Sequence, residues 1–154
     1  MSLSQLCRFA RLPGDEKLLL LEAALLMAPA RLAVLWLPFR MIAPLLGRQR
    51  CESPLEVAPR QELTAQRIGA AIATIGRHCF WRSTCLVQAV AAQLMLKRRG
   101  IPGTLYLGTA RDTENNLLAH AWTRCGREIL TGASGRERFT VVASFSPRSP
   151  SNRK

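Results

Sequence analysis

Trp81-Arg82-Ser83-Thr84-Cys85-Leu86 opens an almost uninterrupted apolar run that ends at Leu96. The stretch reads as a loop that turns sharply into a buried helix, with one cysteine in its first turn. Ser83 is a suitable N-cap, because its hydroxyl can accept from an unpaired amide two or three residues on, and Thr84 and Cys85 then take the first helical positions. Leu86, Val87, Ala89, Val90, Ala91, Ala92, Leu94, Met95 and Leu96 cover nearly every face, which marks a helix enclosed by protein. Lys97, Arg98 and Arg99 suit the negative C-terminal end, and Gly100 with Pro102 stops the helix.

A cysteine so placed sits beside unpaired N–H groups and the positive end of the helix dipole. Both favour thiolate, the nucleophilic form. The alternative for Cys85 is a small buried hydrophobe, the commoner fate of a free cysteine.

The chain has 154 residues, enough for one domain with a real core, and its 48% apolar content is that of a globular protein. Its formal charge of +12 is concentrated after residue 60, where fourteen basic residues face five acidic ones. Such a field attracts nucleic acid, anionic lipid or an acidic polypeptide without distinguishing them. Five cysteines (Cys7, Cys51, Cys79, Cys85, Cys125) form no even framework and no C-x-x-C, so reduced thiols in a cytoplasmic protein are expected. Only His78 and His120 are available for imidazole chemistry.

Three regions are expected: an apolar helical segment and linker over 1–60, a core over 61–145 and a flexible basic tail over 146–154. Met1 to Leu12 mixes apolar residues with Arg8 and Arg11, a short amphipathic element. Pro13-Gly14-Asp15 is a turn with Asp15 as N-cap to a helix over Lys17–Met27; Pro29 ends or kinks it before a second segment, Ala30–Trp36. Pro38 and Pro44 break the chain again before Gly47. Glu22, Pro29 and Arg31 interrupt the apolar run, so no stretch of about 20 uncharged residues spans a bilayer. The acidic turn before it also argues against a signal peptide. Helices packed on the domain or on a partner, or contact with a membrane surface, both remain open.

Residues 48–60 are polar and read as a linker, followed by a helix over Gln61–Gly76 with Leu63, Ile68, Ala71, Ile72 and Ile75 inward. After Gly100 the period changes to two. Strands are expected at Thr104–Thr109, Leu117–Arg124, Arg127–Gly132 and Phe139–Phe145, with Cys125-Gly126 a tight turn. Helices followed by an antiparallel sheet make the fold α+β.

His120, in Leu118-Ala119-His120-Ala121-Trp122, stands on the second strand. A strand imidazole beside a large aromatic is a rigidly held general base, or simply a packed histidine. Thiol plus imidazole is the minimal apparatus for acyl transfer. W-R-S-T-C-L at 81–86, L-K-R-R-G-I at 96–101, G-T-A at 108–110 and A-H-A-W at 119–122 occur in that order. The combination resembles the transglutaminase-like leader peptidases of lasso-peptide biosynthesis, the stand-alone peptidase half of the B maturation protein, over about residues 60–145. Leu37-Pro38-Phe39-Arg40 resembles the region preceding that family's core.

The resemblance implies a papain/transglutaminase-like core, with the cysteine-bearing helix against an antiparallel sheet. It implies removal of the leader from a ribosomally made precursor, with a small leader-recognition protein, before an ATP-dependent cyclase closes a macrolactam. It gives Cys85 as nucleophile and His120 as base, with no cofactor and no metal. The family's acidic third member, about a dozen residues after the histidine, is missing: Thr131-Gly132 stands there. With a two-residue turn at Cys125-Gly126, His120 opposes Thr131 and Thr123 opposes Glu128, which points away from His120. Thr131, a backbone carbonyl, a water or, less readily, Glu128 then orients the imidazole. Oxyanion and substrate contacts are sought in the Cys85 N–H and in Trp81, Arg82, Thr84, Trp122 and the His78 region, although Trp81 also suits a core plug and Arg82 a surface site. Arg98 and Arg99 are expected only to cap their helix.

Three rivals are weighed. A zinc site from His78, Cys79, Cys85, His120 and Cys125 lacks standard ligand spacing. A nucleic-acid binder is favoured by charge, but the 6% aromatics form no interleaved stacking platform. A peptidase fold acting only as a scaffold is kept open by the missing carboxylate.

Overall fold

The computed structural model describes residues 12–79 and 84–147. The described residues form four α-helices, α1 (Gly14–Trp36), α2 (Phe39–Leu46), α3 (Pro59–His78) and α4 (Cys85–Arg98), and a five-stranded antiparallel sheet; α2, α3 and α4 touch the sheet and α1 packs on α3 and α4. The strands are β1 (Arg48–Gln49), β2 (Thr104–Arg111), β3 (Leu117–Cys125), β4 (Glu128–Thr131) and β5 (Thr140–Ser146), in the order β1-β5-β2-β3-β4. The architecture is α+β. Residues 1–11, 80–83 and 148–154, including the amphipathic element before Leu12 and most of the basic tail, lie outside the described residues.

The central helix is enclosed because its sequence is apolar all round: Val87, Ala89, Val90, Ala91, Ala92, Met95 and Leu96 are all buried. Thr84, not Ser83, is its N-cap, accepting from the Val87 N–H at 3.4 Å. Gly100, at φ +63°, takes the left-handed position that ends it. Lys97, Arg98 and Arg99 do more than cap. Arg99 and Arg98 both pair with Glu22 of α1, and Lys97 donates to the Leu45 carbonyl of α2 at 3.0 Å.

Helix α1 runs unbroken through Pro29, contrary to the expected two segments. A proline removes one donor and crowds the carbonyl four residues back, here that of Leu25. Leu25 and Pro29 share the solvent side of α1, where water can take up the freed carbonyl. The same helix starts at Gly14 after Pro13, so Asp15 lies in its first turn rather than capping it, and pairs with Arg67 of α3. Pro38 breaks the helical run as expected and stands as the N-cap of α2, whereas Pro44 lies inside α2 without ending it. Helix α3 buries Ala65, Ile68, Gly69, Ala71 and Ile72, and leaves Leu63 exposed.

The stretch expected as a linker is anchored to the sheet. β1 pairs with the end of β5, and Ser53 meets the Thr104 hydroxyl with its N–H (2.7 Å) and its own hydroxyl (2.8 Å). Arg124, on β3, is buried and donates to the Ser53, Pro54 and Gly126 carbonyls and to the Tyr106 hydroxyl. A buried guanidinium is tolerable where its donors are met, and here it ties residues 52–54 down.

Gln93 does the same at this end of the sheet, from the helix side. Fully buried on α4, its amide donates to the Leu46 and Gly103 carbonyls at 3.1 Å and leans toward that of Phe145 at 3.4 Å. Three elements meet at one side chain. Gln93→Leu strands those carbonyls while filling the same space, so a loss of about 2 kcal/mol is expected in urea unfolding. A loss below about 0.5 kcal/mol, the range of ordinary surface substitutions, would assign Gln93 no anchoring role.

Candidate active site

Thr123 and its neighbours decide which way the sheet faces. The Thr123 hydroxyl donates to the Ala89 carbonyl of α4 at 3.0 Å, so Ala121, Thr123 and Cys125 face the helices. His120, Trp122 and Arg124 therefore take the opposite face with Tyr106, where Tyr106 and Trp122 stack at 5.5 Å. The His120 ring stacks on Trp122 (centroids 5.8 Å apart) and leans on Phe139 (5.0 Å). Gly108, paired with His120, lies beneath these rings; a Cβ there would come within 2.9 Å of the indole and of Phe139. Trp122 is 4% exposed and forms a wall of the imidazole's seat, not the open substrate contact expected of it.

The imidazole is held by a main-chain group. His120 Nε2 lies 2.8 Å from the Gly132 carbonyl oxygen. A carbonyl only accepts, so Nε2 carries a proton, and in the neutral ring Nδ1 is then the nitrogen with the lone pair. That is the tautomer a general base needs, with its orientation fixed from behind.

Thr131 is not the orienter. The turn falls at Gly126-Arg127, so Cys125 opposes Glu128 and Arg124 opposes Ile129; a bulge then absorbs Leu130 and brings Thr131 opposite Thr123. The two displacements together carry Thr131 three positions from its expected place across from His120. Its hydroxyl is buried among the described residues without a hydrogen-bond partner. Glu128 stands across from Cys125, five residues along β3 from the imidazole. β4 ends at Thr131, so β3 before Thr123 has no strand beside it there, and Gly132 comes back to fill that edge. At φ +68°, a Cβ on Gly132 would lie 2.3 Å from the Ala121 carbonyl. Only glycine brings its carbonyl here.

Cys85 is the first residue of α4, half-buried, with its backbone N–H among the donors a helix start leaves unpaired. α4 crosses the sheet from Thr123 of β3, opposite Ala89, to the Gly103 and Phe145 carbonyls, opposite Gln93. Followed back one turn from Ala89, the helix start lies toward the β3–β4 edge on the face that Ala121 and Thr123 share, across the sheet from the His120 ring. Among the described residues His120 bonds Gly132 and not the Cys85 sulfur. The Thr84 hydroxyl is engaged as the cap, His78 hydrogen-bonds the Thr74 carbonyl within its own helix, and Trp81 and Arg82 lie outside the described residues.

A sequence model of the transglutaminase-like superfamily matches residues 24–144. The chain belongs to this superfamily. Searches of curated proteins and of solved structures return no match. The superfamily includes cysteine peptidases. In this transglutaminase-like chain a cysteine at a helix start precedes a histidine on the sheet, and a main-chain carbonyl stands behind the imidazole.

The remaining described thiols differ in environment. Cys125 is fully buried, and burial, with Glu62 adding, pushes its thiol up to about 11 from 9.0. Folding thus favours the protonated thiol. Its contribution is intact below the unfolded value of 9.0 and is lost as pH rises through about 11. A decline of about 2 kcal/mol across that window is expected in denaturant unfolding, and Cys125→Ala should remove it. An identical alkaline decline in both proteins would show that the thiol plays no part.

Proposed function

We propose that this protein is a cysteine peptidase that removes the leader from a ribosomally made lasso precursor peptide. The Cys85 sulfur attacks the carbonyl carbon at the leader–core junction while His120 Nδ1 takes the thiol proton. The tetrahedral oxyanion rests on the Cys85 N–H and an upstream donor, and collapse expels the core's amine, which takes the proton back from the imidazolium. Water, deprotonated by the same nitrogen, then hydrolyses the thioester and frees the leader's carboxylate. The observation that supports the reading is the His120–Gly132 bond, which places the proton of a neutral ring on Nε2 and leaves Nδ1 to act as base, at the sheet edge toward which the start of α4 runs.

A peptide leader needs a reader, so the activity is assigned to a complex with a small leader-recognition protein, in the cytoplasm, ahead of an ATP-dependent cyclase that closes the macrolactam. The test is mass spectrometry of the precursor incubated with this protein and the leader-binding partner. One cut at the leader–core junction is expected. Binding without any cut would replace the peptidase with a scaffold, the role favoured by an imidazole backed by a carbonyl instead of a carboxylate.

A further inference from the structure

Helix α1 shows solvent a face whose exposed side chains are apolar along almost its whole length. From residue 18 to residue 37 the exposed side chains are Leu18, Leu21, Leu25, Pro29, Leu32, Leu35, Trp36 and Leu37, all apolar. Helical spacing lines them into one stripe about 27 Å long. Trp36 is 81% exposed, and α2 extends the surface with exposed Met41 and Leu45. A contiguous apolar area of this size marks a binding surface.

The helix is long and apolar enough to cross a membrane, with a mean hydropathy of 2.0. It is nonetheless fastened along its other side. Ala23 and Met27 are fully buried and Ala30 nearly so, while Glu22 is held by Arg98 and Arg99, so crossing would mean tearing α1 from α4. Lying flat requires no such rupture.

Cations set beside the apolar stripe and its terminal indole favour lipid over protein. Between Lys17 and Arg50 the sequence has five basic residues and a single acid, Glu22, already paired with α4. Exposed Arg40 follows Trp36 and Leu37, and Lys97, bonded to the Leu45 carbonyl, stands with Arg98 at the stripe's border. An apolar stripe bordered by cations and ending in an exposed indole is the chemistry of a helix seated at the headgroup–acyl boundary. We infer that α1 and α2 dock this protein flat on an anionic lipid surface, with the leucine stripe among the acyl chains and the arginines and lysine at the phosphates. The inference stands independently of the proposed activity.

The experiment is sedimentation of the full chain with phosphatidylcholine vesicles, with and without phosphatidylglycerol, at low and high salt. Binding to the anionic vesicles is expected, weakened by salt and by omission of the anionic lipid. Leu25→Ser and Leu32→Ser, both at exposed positions, should each weaken it roughly tenfold. Trp36 emission should shift to the blue on binding, and Trp36→Phe should remove that shift. No association, or equal association with neutral vesicles, would overturn the inference. So would a dimer in analytical ultracentrifugation that the same leucine substitutions dissociate, because the stripe would then belong to a second copy.

Discussion

Cys85→Ala and His120→Ala should each abolish the proposed leader removal, with rates falling by roughly four orders of magnitude or to background, while far-UV circular dichroism and unfolding midpoints stay close to wild type. The two losses are not additive, because thiol and imidazole act as one unit; the double variant is no slower than either single one. Structure supports sparing the fold. Cys85 is only half-buried, so removing its sulfur leaves little cavity, and Trp122 and Phe139 hold the imidazole's place without it. A direct check on the nucleophile is iodoacetamide labelling near neutral pH, followed by peptide mapping. Cys85 should label first and the fully buried Cys125 last. Full processing by either variant would remove that residue from the chemistry. Labelling of Cys85 no faster than Cys51 or Cys79 would leave a fold without an activated thiol.

Much of the fold was legible because its signals are local. An apolar run closed by basic residues and Gly100 specifies α4 wherever it sits, and period-two spacing with short apolar runs after Gly100 specifies the strands. What was missed depends on contacts between distant residues. The sequence 125–128 fits a two-residue turn in either of two frames, and Leu130 carries no mark of a bulge; both are settled by packing of β4 on α3, where Gly69 leaves room for the Leu130 backbone. Gln93 and Arg124 carry no local signal of their roles, since nothing within a few residues shows that one of them gathers three carbonyls and the other residues 52–54. Pro29 misled because a proline's cost falls on a carbonyl whose solvation only the folded molecule determines.

The site divides along the same line. Cys85 and His120 stand out by residue type and position, so their candidacy needs no register. The orienting group is a main-chain atom, and a carbonyl has no side chain to announce it. The available signal was indirect: a glycine directly after the short strand that follows the histidine strand, in a chain with no acid there. Arg98 and Arg99 show the converse error. Their position at a helix end explained them fully in one dimension and concealed that they grip Glu22 of α1.

Gly132→Ala should therefore impair this protein more than its distance from the thiol suggests. An added methyl meets the Ala121 carbonyl at 2.3 Å and the Trp122 Cβ at 2.9 Å, and φ +68° disfavours any L side chain. The chain has to move by a sizeable fraction of an ångström, carrying the carbonyl away from His120 Nε2. Misplacing a base by about 1 Å costs on the order of a hundredfold, so kcat should fall by about that factor with KM nearly constant, since leader binding is remote. The imidazole should also lose its fixed Nε2–H tautomer, visible as loss of a slowly exchanging ring proton in NMR. Gly103→Ala serves as the control: its added methyl clashes with the Leu96 side chain, and its carbonyl bonds Gln93 rather than the imidazole. It should cost comparable stability and little kcat. If both glycine variants lose activity in proportion to stability, Gly132 is only structural. Thr131→Asp should not restore the lost rate, because position 131 pairs with Thr123 on the face turned toward α4. The acid cannot be replaced one residue away when the strand points it through the sheet.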